Sequence, residues 1–245
     1  MFWFMEKKSY DGVFGVIKGL LLGVAHFIID GIRNTHKEGH IFILISLLIT
    51  LLFFVISAFL GLIGLIISTW CIYFFRDPHR VIPLEEGVLI SPADGRITAI
   101  LENEPAPEEL DLRTEEKFTK ISIFLNVFDV HVNRIPVEST VEKVAYIPGK
   151  FLNATLDKSS KENERNILLL KTKTGENIVL TQIAGLIARR IVSYAEEHNE
   201  FKTGQRYGII RFGSRVDLYI PQSYKTTVLL GQTMLGGETI VACKK

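Results

Sequence analysis

The sequence predicts a mostly β chain of the α+β kind, with a β-sandwich or barrel-like domain behind an N-terminal helical membrane hairpin. Three observations predict it. Residues 41–75 are 35 consecutive positions without a charge. Residues 76–245 carry short runs rich in β-branched and aromatic residues, separated by turn signals. No alternation of strand and helix patterns supports a doubly wound sheet.

The elements follow in chain order. Residues 13–32 are apolar but contain Lys18, His26 and Asp30, so they read as an amphipathic helix lying in a membrane interface. One membrane crossing needs about 20 apolar residues, and a single helix over residues 41–75 would overshoot the bilayer core. Gly61 and Gly64 interrupt the run where a tight turn fits, which favours two short spans or a re-entrant hairpin. Lys7, Lys8, Lys18, Arg33 and Lys37 precede the run, and Arg76 and Arg80 follow it. Basic residues on both flanks place both ends on the cytoplasmic side of the cell membrane. The apolar run starts too late for a cleavable leader. The chain therefore divides into a membrane-associated helical region, 1–75, and a β-rich domain, 76–245.

Within that domain, strands are expected at 87–90, 96–101, 120–125, 140–146, 167–172, 177–183, 207–212, 216–220, 226–230 and 238–242. The acidic stretch 102–116 reads as a surface loop with room for one helical turn. Residues 186–198 fit either a helix or a strand followed by a turn. Residues 226–242 read as a hairpin around Gly231, Gly236 and Gly237.

Composition excludes several classes. With 28 basic and 27 acidic residues the formal charge is +1, and no basic patch supports a nucleic-acid partner. The two cysteines, Cys71 and Cys243, form no CxxC pair, which excludes a disulfide scaffold and a thiolate zinc site. There is no P-loop, no GxGxxG after a strand, no HExxH, and no pair among the six histidines with zinc-ligand spacing. No metal or nucleotide cofactor is expected.

Four segments concentrate chemistry: Phe-Arg-Asp-Pro-His-Arg at 75–80, Ser-Pro-Ala-Asp-Gly-Arg at 91–96, Phe-Asp-Val-His-Val-Asn-Arg at 128–134, and Phe-Gly-Ser-Arg at 212–215. Taken singly, each has a structural explanation. Asp-Pro and Pro-Ala-Asp-Gly make turns, His131 suits a core position in a strand, and Gly-Ser is a common turn.

Together they resemble the phosphatidylserine decarboxylase family in its short membrane-anchored form. Eight collinear segments from about residue 36 to the C-terminus carry the resemblance. They are Phe-Phe-Arg-Asp-Pro at 74–78, the turn at 91–95, Asn-Val-Phe-Asp-Val-His-Val-Asn-Arg at 126–134, Pro-Gly-Lys-Phe at 148–151, Glu-Asn-Glu-Arg-Asn at 162–166, Gln-Ile-Ala-Gly at 182–185, Ala-Arg-Arg-Ile at 188–191, and the motif at 212–215. Many long-form members have Leu-Gly-Ser-Thr at the last motif, where this chain has Phe-Gly-Ser-Arg.

The resemblance implies a proenzyme that cuts itself between Gly213 and Ser214 into chains 1–213 and 214–245, which stay together as a heterodimer, alone or within a higher oligomer. Ser214 becomes a pyruvoyl group, a cofactor made from the chain itself. Its ketone carbonyl condenses with the amine of phosphatidylserine and accepts electrons as carbon dioxide leaves, yielding phosphatidylethanolamine. His131 is the available base for the Ser214 hydroxyl. Asp94 is expected to accept a hydrogen bond from the other imidazole nitrogen. Arg76, Arg80, Arg134, Arg189, Arg190 and Arg215 are candidates for the lipid phosphate or carboxylate. Competing readings are a decarboxylase of an ether-linked phosphoserine lipid, a serine hydrolase without the GxSxG elbow, and a membrane-tethered lipid-binding β-domain without activity.

Overall fold

Ser57 leaves helical geometry (φ −165°, ψ 142°) and its hydroxyl accepts a hydrogen bond from the Leu60 N–H, so it ends one apolar helix and caps the next. These helices are α1, His40–Ile56, and α2, Ala58–Phe74. The computed structural model describes residues 31–112, 116–149, 162–185, 190–211 and 213–245. It divides the chain into two units, Met1–Pro78 and His79–Lys245. Nearly all of the expected amphipathic helix at 13–32 lies outside the described residues.

The break falls earlier than Gly61 and Gly64, which lie inside α2 rather than in a turn. A Cβ on Gly61 would come 2.2 Å from the Phe54 ring, and one on Gly64 would come 2.8 Å from Thr50 Oγ1. The glycines therefore let α1 and α2 pack closely side by side, as small residues do between apolar helices. The serine, with its capping hydroxyl, makes the turn. Thr50 Oγ1 and Ser68 Oγ, 2.9 Å apart, satisfy each other between the helices. Residues Lys37–Ile56 are long and apolar enough to cross a membrane, and α2 is shorter. Outward side chains such as Leu52, Val55, Phe59 and Ile66 are exposed.

The second unit is antiparallel β. Its strands are β1 Val88–Ile90, β2 Gly95–Glu104, β3 Phe118–Leu125, β4 Val132–Arg134, β5 Ser139–Ile147, β6 Arg165–Thr172 and β7 Asn177–Ala184. They continue as β8 Ile191–Ser193, β9 Glu200–Phe201, β10 Arg206–Ile210, β11 Ser214–Pro221, β12 Tyr224–Thr226, β13 Thr233–Met234 and β14 Ile240–Lys244. An eight-stranded sheet has the order β13-β2-β3-β11-β7-β6-β5-β9, and two three-stranded sheets have the orders β4-β10-β8 and β1-β14-β12. The mostly β expectation holds.

Several boundaries differ. The strand expected at 226–230 ends at Thr226, because Leu229 to Gln232 form a turn. The arms of the C-terminal hairpin pair as expected, Tyr224 with Lys244, but the segment between them leaves to pair with β2 as β13. The described part of the ambiguous segment 186–198 contains strand β8. The acidic stretch begins as the tail of β2 and contains one helical turn, Glu108–Leu110.

Central strand β11 is buried on both faces. Val216, Leu218 and Ile220 face the main core with Ile121, Ile123, Leu168, Leu170, Leu180 and residues of both small sheets. Tyr219 faces a second cluster with Leu110, Ile167, Leu169 and Val179. The strand period of two fixes this division. One row of register crosses six strands through Arg96, Phe124, Arg215, Ile183, Arg165 and Ile147. That row brings the turns before β2, after β3, after β7 and before β11 to one end of the sheet.

Candidate active site

Gly213 has φ +59°, in the left-handed region that a side chain disfavours, and a Cβ there would meet nothing within 4 Å among the described residues. The glycine provides that backbone conformation. The chain then enters β11 at Ser214, paired with Leu125 on one side and Ala184 on the other. Ser214 is fully buried, and its Oγ has no hydrogen-bond partner among the described residues. A buried hydroxyl usually finds a partner, and leaving one orphaned costs about 1–3 kcal/mol.

His131 is fully buried at the entry to β4. The Ile210 N–H donates to its carbonyl at 3.3 Å, and the chain reaches Ser214 four residues later, so a short connection keeps the two residues in one neighbourhood. His131 Nδ1 lies 3.0 Å from the Asp129 carbonyl oxygen. A carbonyl only accepts, so Nδ1 carries the proton and Nε2 of the neutral ring keeps the lone pair. The tautomer-fixing role given to Asp94 is thus filled at Nδ1 by a main-chain carbonyl. The turn at 126–129 supplies that carbonyl by folding back on the ring.

The Asp94 carboxylate receives Arg80 Nη2 at 2.7 and 2.9 Å and the Gly236 N–H at 2.7 Å. Its turn is held by Arg134 N–H donating to the Pro92 carbonyl and by Gly237 N–H donating to that of Ser91, both at 2.8 Å. Asp94 immediately precedes β2, two strands from Ser214 in the sheet, a separation of about 10 Å at ordinary strand spacing. The structure therefore brings Asp94, His131 and Ser214 to one end of the fold.

The arginines scatter. Arg215 donates to Asp217 at 2.6 and 2.7 Å, on the face of β11 opposite Ser214. Arg134 is buried and donates to the Gly204 carbonyl. Arg76 stacks on Tyr73, its guanidinium 3.8 Å from the ring centre, and donates to the Tyr73 carbonyl. Arg190 is exposed, and its carbonyl accepts from the Arg211 N–H two residues before Gly213. Nearby, burial first and then Glu164 push the Tyr146 phenol up, with Arg190 opposing. Arg189 lies outside the described residues.

Sequence reasoning missed a buried amide chain. Asn166 Nδ2 donates to Gln182 Oε1 at 3.1 Å, and Gln182 Nε2 donates to Asn133 Oδ1 at 2.8 Å. Gln182 shares the core face of β7 with Leu180 and Ala184, diagonal to Ser214 across the register. Its signal was available: one amide among Ile178, Leu180 and Ala184 on an otherwise apolar strand face. Among the described residues, no group of three His, Cys, Asp or Glu could hold a metal ion.

A family model described as phosphatidylserine decarboxylase matches residues 67–242. The phosphatidylserine decarboxylase proenzyme of Rickettsia akari is 54% identical over 213 residues, 87% of this chain and 91% of that protein. That of Rickettsia felis matches to the same extent, and that of Pelagibacter ubique is 50% identical over 209 residues, 85% of this chain and 96% of that protein. These matches make the protein a lyase, of the carboxy-lyase class. The chain belongs to the phosphatidylserine decarboxylase family.

Proposed function

We propose that the chain is a proenzyme that cuts itself between Gly213 and Ser214 and then decarboxylates phosphatidylserine to phosphatidylethanolamine. The observation that carries the reading is the orphaned, fully buried Ser214 hydroxyl directly after a left-handed glycine. Nε2 of His131 takes the hydroxyl proton, and Ser214 Oγ attacks the Gly213 carbonyl, turning the amide into an ester and freeing the residue-214 amine. Loss of the Cα proton of residue 214 expels the Gly213 carboxylate and leaves dehydroalanine. Water then converts that residue to a pyruvoyl group and releases ammonia. An orphaned hydroxyl in an apolar layer fits this conversion, since no hydrogen bond must be broken to consume it.

The pyruvoyl group supplies a carbonyl that withdraws electrons from the amine-bearing carbon as carbon dioxide departs. The remaining work falls to the chain. His131 returns a proton to the substrate carbon. The main core excludes water from the Ser214 side of β11. Asp94, bonded to Arg80 and the Gly236 N–H, supports the electrostatics of the site without sitting on Nδ1 of His131. Of the arginines, exposed Arg190 is the best placed for the lipid phosphate. The apolar helix pair holds the enzyme in the cell membrane with residues 76–245 on the cytoplasmic side, and the two product chains remain a heterodimer.

Intact mass measurement tests the reading. It should show residues 1–213 and a 32-residue fragment, 214–245, whose N-terminus is blocked and reducible by borohydride. An intact chain that nevertheless decarboxylates the lipid would overturn it.

A further inference from the structure

Exposed apolar side chains on the second unit gather around the turn that carries Asp94. Phe128 is 60% exposed, Leu229 75% and Leu230 67%, and Leu235 and Val81 are also exposed. Scattered exposed apolar residues are ordinary; convergence on one region is not. The hydrogen bonds show the convergence. The Leu229–Gln232 turn is tied to β2 by Arg96 Nε donating to the Gly231 carbonyl at 2.8 Å. Leu235 precedes Gly236, whose N–H holds Asp94. Val81 N–H reaches Glu238 Oε1 at 3.4 Å. Phe128 stands on the turn after β3, where its N–H donates to Asn126 Oδ1 at 2.8 Å, and β3 pairs with β2 through Phe124 and Arg96. Phe128, Leu229, Leu230 and Leu235 sit on short hydrogen-bonded turns, so little conformational entropy is lost when they are buried. Arg96 is exposed among them, as a cation suited to lipid phosphates would be. Val81 also follows the end of apolar helix α2 by only seven residues.

We propose that this rim is a lipid-docking surface of the catalytic unit itself: Phe128, Leu229, Leu230, Leu235 and Val81 enter the headgroup region of the leaflet. The occupant is a bilayer. The apolar tips cluster at the turn that carries Asp94, and the substrate of the proposed reaction is a bilayer lipid, so the inference rests on that reading. Docking presents a serine headgroup to the site without extraction of the acyl chains.

The test uses the full-length protein in vesicles of phosphatidylcholine with phosphatidylserine. Leu230→Cys, and separately Lys173→Cys, is introduced in a Cys71→Ala/Cys243→Ser background and labelled with an environment-sensitive dye. Lys173 lies on the turn between β6 and β7, at the opposite end of the sheet. The dye at 230 should be quenched by headgroup-level spin-labelled lipid and protected from aqueous iodide, and the dye at 173 should show the reverse. Equal quenching at both positions would overturn the proposal. A kinetic arm needs no label. Leu229→Asn/Leu230→Asn should lower turnover of vesicle-borne phosphatidylserine about tenfold and leave turnover of monomeric short-chain phosphatidylserine unchanged. Equal losses on both substrates would count against docking. A protein that quenches as expected but decarboxylates neither lipid would retain the docking surface and refute the reaction.

Discussion

Ser214 and Arg215 are neighbours in sequence and equally hidden from solvent, at 0% and 4% exposure, yet the two faces of β11 treat them in opposite ways. On one face the Ser214 hydroxyl has no hydrogen-bond partner among the described residues. On the other, the guanidinium of Arg215 meets both carboxylate oxygens of Asp217. Burial alone does not distinguish a site residue from a scaffold residue. Satisfaction of polar atoms separates these two neighbours, but it is not a mark of the site by itself, since the Ser122 and Thr181 hydroxyls beside Asp217 also lack a partner among the described residues.

The largest expected effect breaks the orphan side. Ser214→Ala should abolish both cleavage and decarboxylation while the folded protein melts within a few degrees of the parent, because the hydroxyl has no bond to lose. His131→Ala should slow cleavage by about 10²–10⁴-fold, the usual contribution of a positioned base. Electrophoresis against time reads both, and normal processing of the His131 variant would remove that residue from the base role. A middle effect lies on the paired side. Asp217→Ala should cost about 3 kcal/mol of stability, by the logic of breaking one half of a buried ion pair. Molecules that remain folded should still be processed. Denaturant unfolding together with cleavage assays would show the split, and loss of cleavage in a fully folded Asp217 variant would erase the contrast between the faces.

The smallest effect comes from a surface pair. The Lys244 ammonium first, then the hydroxyls of Thr172 and Thr174, hold the Glu176 carboxyl down at about 2. A depressed carboxyl stabilises the fold above the ordinary carboxylate range, and that contribution is lost as pH falls from about 4.5 to about 2. Glu176→Gln should flatten the stability profile in that window and shift the melting temperature at neutral pH by no more than about 3 °C, since exposed pairs are screened. An unchanged acid profile would show that the pair contributes nothing.

Much of this was legible in the sequence. Period-two patterning located the long strands such as β3, β6 and β7 to within a few residues, and the motif segments pointed to Ser214, His131 and Asp94. Short strands escaped. The two-residue strands β9 and β13 have too little pattern to register, and β4 lies inside a segment read for its chemistry. The role of Gly61 and Gly64 was hidden because a glycine that breaks a helix and one that admits a neighbouring helix look alike until the partners, Phe54 and Thr50, are known. The Asp129 carbonyl at His131 Nδ1 was out of reach for a different reason: main-chain acceptors leave no trace in residue identity.

The position of β11 has one more consequence. A break before Ser214 would turn a central strand into a separate molecule, still paired with β3 and β7 along its length. Such a fragment has no exit route that preserves the rest of the sheet. Its departure would be an unfolding event, so the lifetime of the two-piece assembly is set by the unfolding barrier of the domain rather than by an affinity between subunits. Dilution would leave the pieces together, and only denaturant or heat would part them.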